Sequence, residues 1–447
     1  MAQRIVIISL IFVAAFSVRL MVWNNKHAEA PQVQSGVAEN YKHLARLLTA
    51  NGLTSFFDPS STTSNPDLLG HPPGYSIVLA FIYKLAGESD TAAQLFQIFC
   101  DSLCAVLIFL IAIELLPLGV GAIAGFMAAF APQFSWNSIL LLPDTLAALP
   151  ILAGILVIAR AFKRPSLVSV LGAGACIGVS CWLRANGLLL GPFLAFLVVL
   201  IFPRELKMRM ALALVAGFVV VVAPLTIRNA IVFGHFIPVS LGGGQTLLEG
   251  IADYDEAGRF GVPATDIELI KQEAHAKNRP DYATTLFGPD AIRRDRERLA
   301  RGFAIIRANP LWFFSVVVRR AMNMWRLERV PLISTTNLPS GWTRYIYLVV
   351  RLVQRLFITA VVLPFVLIGL MILIWQRRFH VVAILLGVPV YYFCVQSILH
   401  TEYRYVLALH YFLFVLAGVG VYRIGWWVHS SRPKFLSKRS KLSSASF

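Results

Sequence analysis

Charge is scarce in this chain. Asp, Glu, Lys and Arg make up 14% of its 447 residues, where a soluble domain carries roughly 25%. So little charge cannot clothe a water-soluble body of this size, and most of the chain is expected to lie in a bilayer. The charge leans one way, with 40 Lys and Arg against 23 Asp and Glu and a formal net charge of +17. That excess does not read as a nucleic-acid surface, because no basic face interleaved with aromatics lies outside the loops. Lys and Arg gathered in cytoplasmic loops account for it. Cysteine is sparse as well. Cys100, Cys104, Cys176, Cys181 and Cys394 all lie in apolar runs. The first two stand at i and i+4 on one helix face, a poor arrangement for a disulfide. No CxxC or Cys/His metal spacing exists, so all five read as packing residues. No sequence repeat is visible.

What is abundant is apolar sequence, at 57% of residues with a mean hydropathy of +0.69. About ten runs approach the ~20 residues that a bilayer core demands: 4–23, 94–115, 119–136, 143–162, 166–183, 186–202, 209–227, 352–375, 380–399 and 404–426. The fold class expected is therefore all-α and polytopic, with two extracytoplasmic loop regions carrying interfacial helices. The first run ends near Ala28-Glu29-Ala30, which resembles a signal-peptide cleavage site. It is too long for a signal core and carries Arg19 and Trp23, so it reads as an uncleaved helix. Lys163-Arg164, the Arg204-to-Arg209 turn, Arg377-Arg378 and a basic tail (Arg432, Lys434, Lys438, Arg439, Lys441) fall on one side, which the positive-inside rule makes cytoplasmic.

Three regions follow. Residues 1–227 form a membrane core with a first outer loop at 24–93. Residues 228–345 form a second outer region, and 346–447 the last spans and the tail. Within the first loop, 38–50 has a helical apolar stripe of Tyr41, Leu44, Leu47 and Leu48, and 74–86 is apolar but too short to span, so both are placed along the outer surface. In the second region an amphipathic helix is expected over Ala291–Arg307, broken at Asn309-Pro310 and followed by a more apolar one to Trp325. Gly242-Gly243-Gly244 lacks the Lys-Ser/Thr of a phosphate loop and reads as a flexible turn.

The polar residues are few and fall into clusters: Glu39-Asn-Tyr41, His71-Pro-Pro-Gly-Tyr75, Asp144, Arg184, Arg228-Asn229 and Glu402-Tyr-Arg404. With this threading all of them lie on the outer face and compose one site. The pieces ENYKHLARLLTANG, HPPGYSIVLAFIYKLAG, LLPDTLAALP, CWLRANGLLLGP, APLTIRNAIVFGHFIPVSLGGGQTLLEG, ANPLWFFSVVVRRAMNMW and EYRYVLALHYFLFVLAGVG occur in that order. Together they resemble the GT-C membrane glycosyltransferases, specifically the bacterial relatives of protein O-mannosyltransferases and of the aminoarabinose and galacturonosyl transferases that modify lipid A. The resemblance implies a sugar donor on polyprenyl phosphate, inverting transfer, and a site facing away from the cytoplasm in the inner membrane. The acceptor it implies is a glycolipid, a glycan or a protein. There is one departure. Where that family carries an aspartate four residues before the loop tyrosine as catalytic base, this chain has Val37. The nearest acid, Glu39, is two residues later, about 200° round a helix.

A lipid-phosphate leaving group gains negative charge as its bond to the sugar breaks, so cationic donors must face it. Arg184, Arg228, Arg404 and His71 are the candidates. Each has a plainer reading: the arginines snorkel or anchor at the interface, and the histidine is a solvated loop residue. An acceptor hydroxyl needs a base, for which Glu39 and Asp144 are candidates. Asp144 equally suits a helix N-terminus, and Glu39 an exposed helix face. Tyr41, Tyr75 and Asn229 are assigned to the substrate lining, although aromatic residues are common at membrane interfaces. No cofactor is certain. The resemblance leaves a divalent metal open, but a carboxylate pair alone lacks the ligand count that would identify one. The competing readings are a transporter or lipid flippase, which would carry ionisable residues near the bilayer midplane, and a catalytically degenerate relative. Clustering of polar residues at outer helix ends favours the enzyme.

Overall fold

The computed structural model describes residues 2–430; the basic tail lies outside them. The described residues contain helices and no strand. In chain order the helices are α1 (Ala2–Lys26), α2 (Ser35–Asn51), α3 (Gly74–Ala86), α4 (Asp90–Leu115), α5 (Leu118–Phe130), α6 (Pro132–Asn137), α7 (Asp144–Lys163), α8 (Leu167–Leu183), α9 (Leu190–Ile201), α10 (Lys207–Phe233), α11 (Gly243–Ala252), α12 (Asp266–Lys277), α13 (Ala291–Ala308), α14 (Pro310–Asn323), α15 (Thr343–Gln354), α16 (Thr359–Trp375), α17 (Phe379–Val395) and α18 (Leu407–Ser430). Local chemistry sets many of these limits. Ser89 and Ser166 cap α4 and α8 by accepting from the backbone N–H of Ala92 and Ser169. Pro132 and Pro310 open α6 and α14, where a missing N–H costs nothing.

Among the described residues, α1, α4, α7, α10, α17 with its short extension, and α18 are each long and apolar enough to cross a membrane. The pair α15 and α16, bent by 57° at its break, is long and apolar enough only when taken together. The shorter apolar helices α5, α8 and α9 account for the remaining expected runs. Helix α18 is the centre of the bundle, buried at every position from Leu407 to Gly420. Close approach of the other helices depends on missing side chains. A Cβ at Gly174 in α8 would strike the Leu214 carbonyl of α10, and one at Gly217 in α10 would strike the Leu171 carbonyl of α8. The same relation joins α16 and α18 through Gly369 and Gly420.

The bundle has two unlike ends. At one, Glu114 pairs with Arg160 and Lys163, and Phe162 packs on Phe202 and His380 beside Arg378. This is the basic end. The opposite end carries α2, α3 and the helices α11 to α14, with every polar cluster picked out from the sequence. Two local expectations need correction. Helix α10 continues to Phe233, so Arg228 and Asn229 belong to a helix rather than to the start of an outer loop. The triple glycine is no flexible turn: Gly242, at φ +103°, leads into α11, and the N–H groups of Gly242 and Gly244 donate to Asp295 Oδ1 at 3.2 and 3.0 Å.

A third departure lies in the core, which the sequence presents as nearly free of charge. Arg19 in α1 is wholly buried and donates from Nε to Asp101 Oδ2 in α4 at 2.6 Å. Tyr411 of α18 donates to the other carboxylate oxygen at 2.8 Å. The remaining guanidinium nitrogens reach the carbonyls of Ala15, Ala129 and Ala128 at 3.0, 3.2 and 3.4 Å. Pro132, four residues after Ala128, has no N–H to give that carbonyl, and the arginine takes its place. Removing one partner of such a pair strands a buried charge, at a cost of about 3–5 kcal/mol. Asp101→Ala or Arg19→Ala is therefore expected to lower the thermal midpoint and folded yield in detergent sharply. The joint change Arg19→Met with Asp101→Leu should recover most of the loss; single variants as stable as wild type would remove this pair from its structural role.

Candidate active site

The site is built around Asp144. It opens α7 directly after Pro143 and makes no side-chain cap at that helix end, so its carboxylate is available to other groups. Arg184, at the end of α8, donates from Nη1 to Oδ1 at 2.6 Å. Arg404 places Nη1 3.5 Å from Oδ2 and makes two bonds to Glu402, at 2.7 and 2.9 Å. The ring of Tyr405 lies beneath both guanidinium groups, 4.0 Å from Arg184 and 4.9 Å from Arg404. Two cations meet two carboxylates, and the cluster is close to neutral. The positive end of the α7 dipole favours the same buried Asp144 charge.

Neutral amides place this cluster. The segment between α6 and α7 is irregular and buried, so its carbonyls need partners. Gln94 on α4 donates to Ile139 O at 2.8 Å, and Gln97 to Leu140 O at 2.5 Å. Trp23 of α1 bonds the Gln94 carbonyl oxygen at 2.9 Å, and the Tyr75 hydroxyl donates to that of Gln97. One face of α4 thus fixes both the approach to Asp144 and the start of α3. On the other side, Asn186 donates to Tyr405 O at 3.1 Å and accepts from Tyr391 through its own carbonyl at 2.6 Å.

Tyr41, His71 and Tyr75 wall the cluster. The Tyr41 ring lies 5.0 Å from His71 and 5.1 Å, edge to face, from Tyr75. Burial first, then the charges of Arg184 and Arg404, push the His71 imidazole down to about 4. Burial likewise pushes the Tyr41 phenol up. Burial opposes ionisation of Glu402 too, yet its bonds to Arg404 hold the carboxyl below its ordinary value. His71 is therefore neutral here and does not add a third cation to the cluster.

Asp144, Arg184, Arg404, His71, Tyr41 and Tyr75 come together as the sequence expects; Glu39 does not, and Arg228 and Asn229 line a small pocket with His71 but bond to partners outside the Asp144 cluster. Helix α2 has already begun at Ser35, so Glu39 sits on its outer face while Tyr41 faces in. Its carboxylate is exposed and held by Arg46, which also grips Glu88. Val37, on the Tyr41 side of the helix, packs half-buried against the core. Arg228 is satisfied elsewhere: it donates to Phe56 O and Thr63 O at 2.9 and 3.3 Å and stacks on Phe56 at 4.0 Å. Asn229 holds the carbonyls of Ile237 and Val239, both at 3.0 Å. These two fasten loops to α10. The sequence groups Glu402 with Arg404 but assigns it no role, and it misses Tyr405, Gln94 and Gln97. The residues present do not fit a metal ion. Both carboxylates of the cluster are engaged by arginines, and among the described residues no three His, Cys, Asp or Glu side chains converge.

Residues 70–227 match the family described as dolichyl-phosphate-mannose-protein mannosyltransferase, a range that includes His71, Tyr75, Asp144 and Arg184. No curated protein sequence matches the chain. Among solved structures, the Archaeoglobus fulgidus oligosaccharyltransferase tethered with an acceptor peptide aligns at 14% identity and a TM-score of 0.55, over 96% of this chain and 50% of its own. The Archaeoglobus fulgidus oligosaccharyltransferase AglB, in complex with an inhibitory peptide and a dolichol-phosphate, aligns at 13% identity and a TM-score of 0.54, over 100% and 52%. ArnT from Cupriavidus metallidurans bound to undecaprenyl phosphate aligns at 14% identity and a TM-score of 0.37, over 95% and 78%. The chain spans about half the length of the archaeal enzymes it matches. Its fold is that of the GT-C membrane glycosyltransferases, and it is a multi-pass membrane protein.

The depressed His71 value has a measurable consequence. An unfolded histidine titrates near 6.5, so as pH falls from there towards about 4 the unfolded chain takes up a proton that the folded chain refuses. Folding loses stability over that window. His71→Gln cannot titrate. The stability of wild type relative to this variant, followed by thermal unfolding, is expected to fall steadily between pH 6.5 and 4; a constant difference would mean that His71 is hydrated.

Proposed function

We propose that the chain transfers a sugar from a polyprenyl-phosphate donor, with inversion, to a glycolipid, glycan or protein acceptor outside the cytoplasm. The buried Asp144–Arg184–Arg404–Glu402 cluster, at the outer end of an apolar bundle with a GT-C fold, carries this reading. The dolichol-phosphate in the archaeal AglB structure supports a lipid-phosphate donor. In the transfer an acceptor oxygen attacks the anomeric carbon from the face opposite the phosphate. As the new C–O bond forms, the bond to the phosphate oxygen breaks and its electron pair stays on the phosphate. The acceptor proton leaves to a carboxylate. Arg184 spends only Nη1 on Asp144, and its other N–H groups are the donors for the developing phosphate charge. Asp144 Oδ2 is buried and accepts no hydrogen bond, which makes it the proton acceptor this geometry offers in place of Glu39. Arg404 aligns Asp144 and adds positive charge, Tyr41, His71 and Tyr75 bound the sugar, and Arg228 holds the first outer loop in position.

Several outcomes follow for the purified protein supplied with an undecaprenyl-phosphate-linked sugar. Asp144→Asn should lower turnover by roughly 10²–10⁴, the usual worth of general-base help, while Glu39→Gln stays within about twofold of wild type. Arg184→Ala should lower kcat/KM roughly ten- to a hundredfold, matching a lost charge-assisted bond of about 1.5–3 kcal/mol. Full activity in Asp144→Asn would place the base elsewhere. The wild-type gene should also restore a sugar that mass spectrometry finds missing from envelope glycolipids, glycans or glycoproteins of a deletion strain; unchanged envelopes would defeat the enzyme reading.

The orientation has its own check. Arg160, Lys163, Arg164, Arg204, Lys207, Arg209, Arg377 and Arg378 mark the basic end, which the positive-inside rule makes cytoplasmic. Reporters inserted at Ser60 and Asn278 should give extracytoplasmic signals, and one at Arg164 a cytoplasmic signal. A cytoplasmic signal at Asn278 would put the cluster on the wrong face for this donor.

A further inference from the structure

The basic end of the bundle, opposite Asp144, has an open cleft that the proposed reaction does not use. Its volume is about 320 Å³, within the size range of small-molecule sites. Its walls come from the end of α4 and the turn to α5 (Glu114, Leu116), the end of α7 (Phe162, Lys163) and the start of α17 (Arg378, His380). Part of the wall is aromatic, since the Phe162 and His380 rings stack at 4.8 Å.

The charge of the cleft is unbalanced. Glu114 is the one carboxylate among its lining residues, and Arg160 at 3.1 Å and Lys163 at 3.8 Å already hold it. Arg378 has no side-chain hydrogen bond or ion pair among the described residues, and the chain beyond residue 430 contains no Asp or Glu to supply one. Three cations against one carboxylate leave a surplus of two. Helix α17 starts here without a side-chain cap, which adds the positive end of a helix dipole. The negative ends of α4 and α7 also come to this point, and Arg160 and Lys163 in the last turn of α7 offset them.

The turn that delivers Arg378 is unusual. Arg377 sits at φ +55°, a left-handed conformation that favours glycine. Its N–H and that of Arg378 close the end of α16 on the carbonyls of Ile374 and Leu373, both at 2.9 Å. Two arginines in succession thus stand where the backbone alone would select glycine. Trp375 and Phe379, on either side of this turn, are exposed, and such side chains collect at the membrane–water interface. Leu167 and Val168 at the start of α8 are exposed as well. The cleft therefore opens at the level of the cytoplasmic-leaflet head groups.

We infer that this cleft holds the head group of an anionic phospholipid of the cytoplasmic leaflet, with Arg378 and Lys163 on its phosphate. Basic pockets between spans on this side suit such head groups, whereas a zwitterionic lipid brings a cation that the surplus charge repels. The lipid would join the ends of α4, α7 and α17. The inference is independent of the transferase reading. Its test is the rise in thermal midpoint as phosphatidylglycerol is titrated into the full chain in detergent containing phosphatidylcholine. Wild type should respond, and inorganic phosphate should not replace the lipid. Arg378→Gln removes a charge without breaking a bond, so it should fold as wild type does. It should need roughly ten times more phosphatidylglycerol for the same rise, matching one lost charge-assisted bond. Arg378→Lys should keep most of the response, and Lys163→Gln with Arg378→Gln should lose it. Arg209→Gln removes one exposed charge from the same end, outside the cleft, and should match wild type. A wild type indifferent to phosphatidylglycerol refutes the site. An equal loss in Arg209→Gln refutes it in favour of surface charge alone, and an equal rise with inorganic phosphate in favour of a free-anion site. Each of these results leaves the reading of the Asp144 cluster standing.

Discussion

A guanidinium group survives in an apolar bundle only where a carboxylate and spare carbonyls surround it, and this fold is organised by that constraint. Arg19 brings α1, α4, α5 and α18 to one point because each supplies something the cation requires: a carbonyl of its own helix, the Asp101 carboxylate, two carbonyls where α5 stops, and a tyrosine that completes the carboxylate. The Asp144 cluster lies farther along the same helices. Helix α4 holds the approach to Asp144 through Gln94 and Gln97, and Arg404 stands just ahead of α18. Fixing these helices below therefore sets the distance between carboxylate and guanidinium above.

Polar groups at the outer end sort into two kinds. In the Asp144 cluster charges cancel, aromatic rings close around them, and burial keeps His71 neutral. Such a centre aligns and polarises without attracting every anion that passes. In the neighbouring cavity, lined by Arg320, Arg326 and Arg329 with Asp253 as the one carboxylate among its lining residues, charges do not cancel.

Much of this was legible in the sequence. Most apolar runs became single helices, although 119–136 divides into α5 and α6 and 352–375 crosses the break between α15 and α16; the stripe through Tyr41 and Leu44 forecast the buried face of α2, and Asn309-Pro310 separated α13 from α14. Asp144, Arg184 and Arg404 stood out because charge beside apolar helix ends is costly enough to need a reason. What escaped were relations between distant residues. Asp101 lies in the middle of an apolar run, and its partner is 82 positions away. Glu39 did not escape, since its offset of two residues already put it about 200° round a helix, and α2 does turn it outward. Gly242–Gly244 read as slack because the carboxylate that caps it, Asp295, arrives from another helix.

The segment before Arg404 is held from outside the bundle as well as from within it. The His400 backbone N–H donates to Thr246 O of α11 at 2.8 Å, its ring is bonded to Asp253, and Gly250 lets the two backbones meet without a side chain between them. Helix α11 therefore belongs mechanically with the last span, although more than a hundred residues of chain separate the two. For anyone exchanging the outer region between proteins of this fold, the segment to trade begins after α11 and not at the end of α10. A chimera that took α11 from one parent and the final helix from another would break a joint on which the alignment of Arg404 depends, while α12 and α13 could be traded with less disturbance.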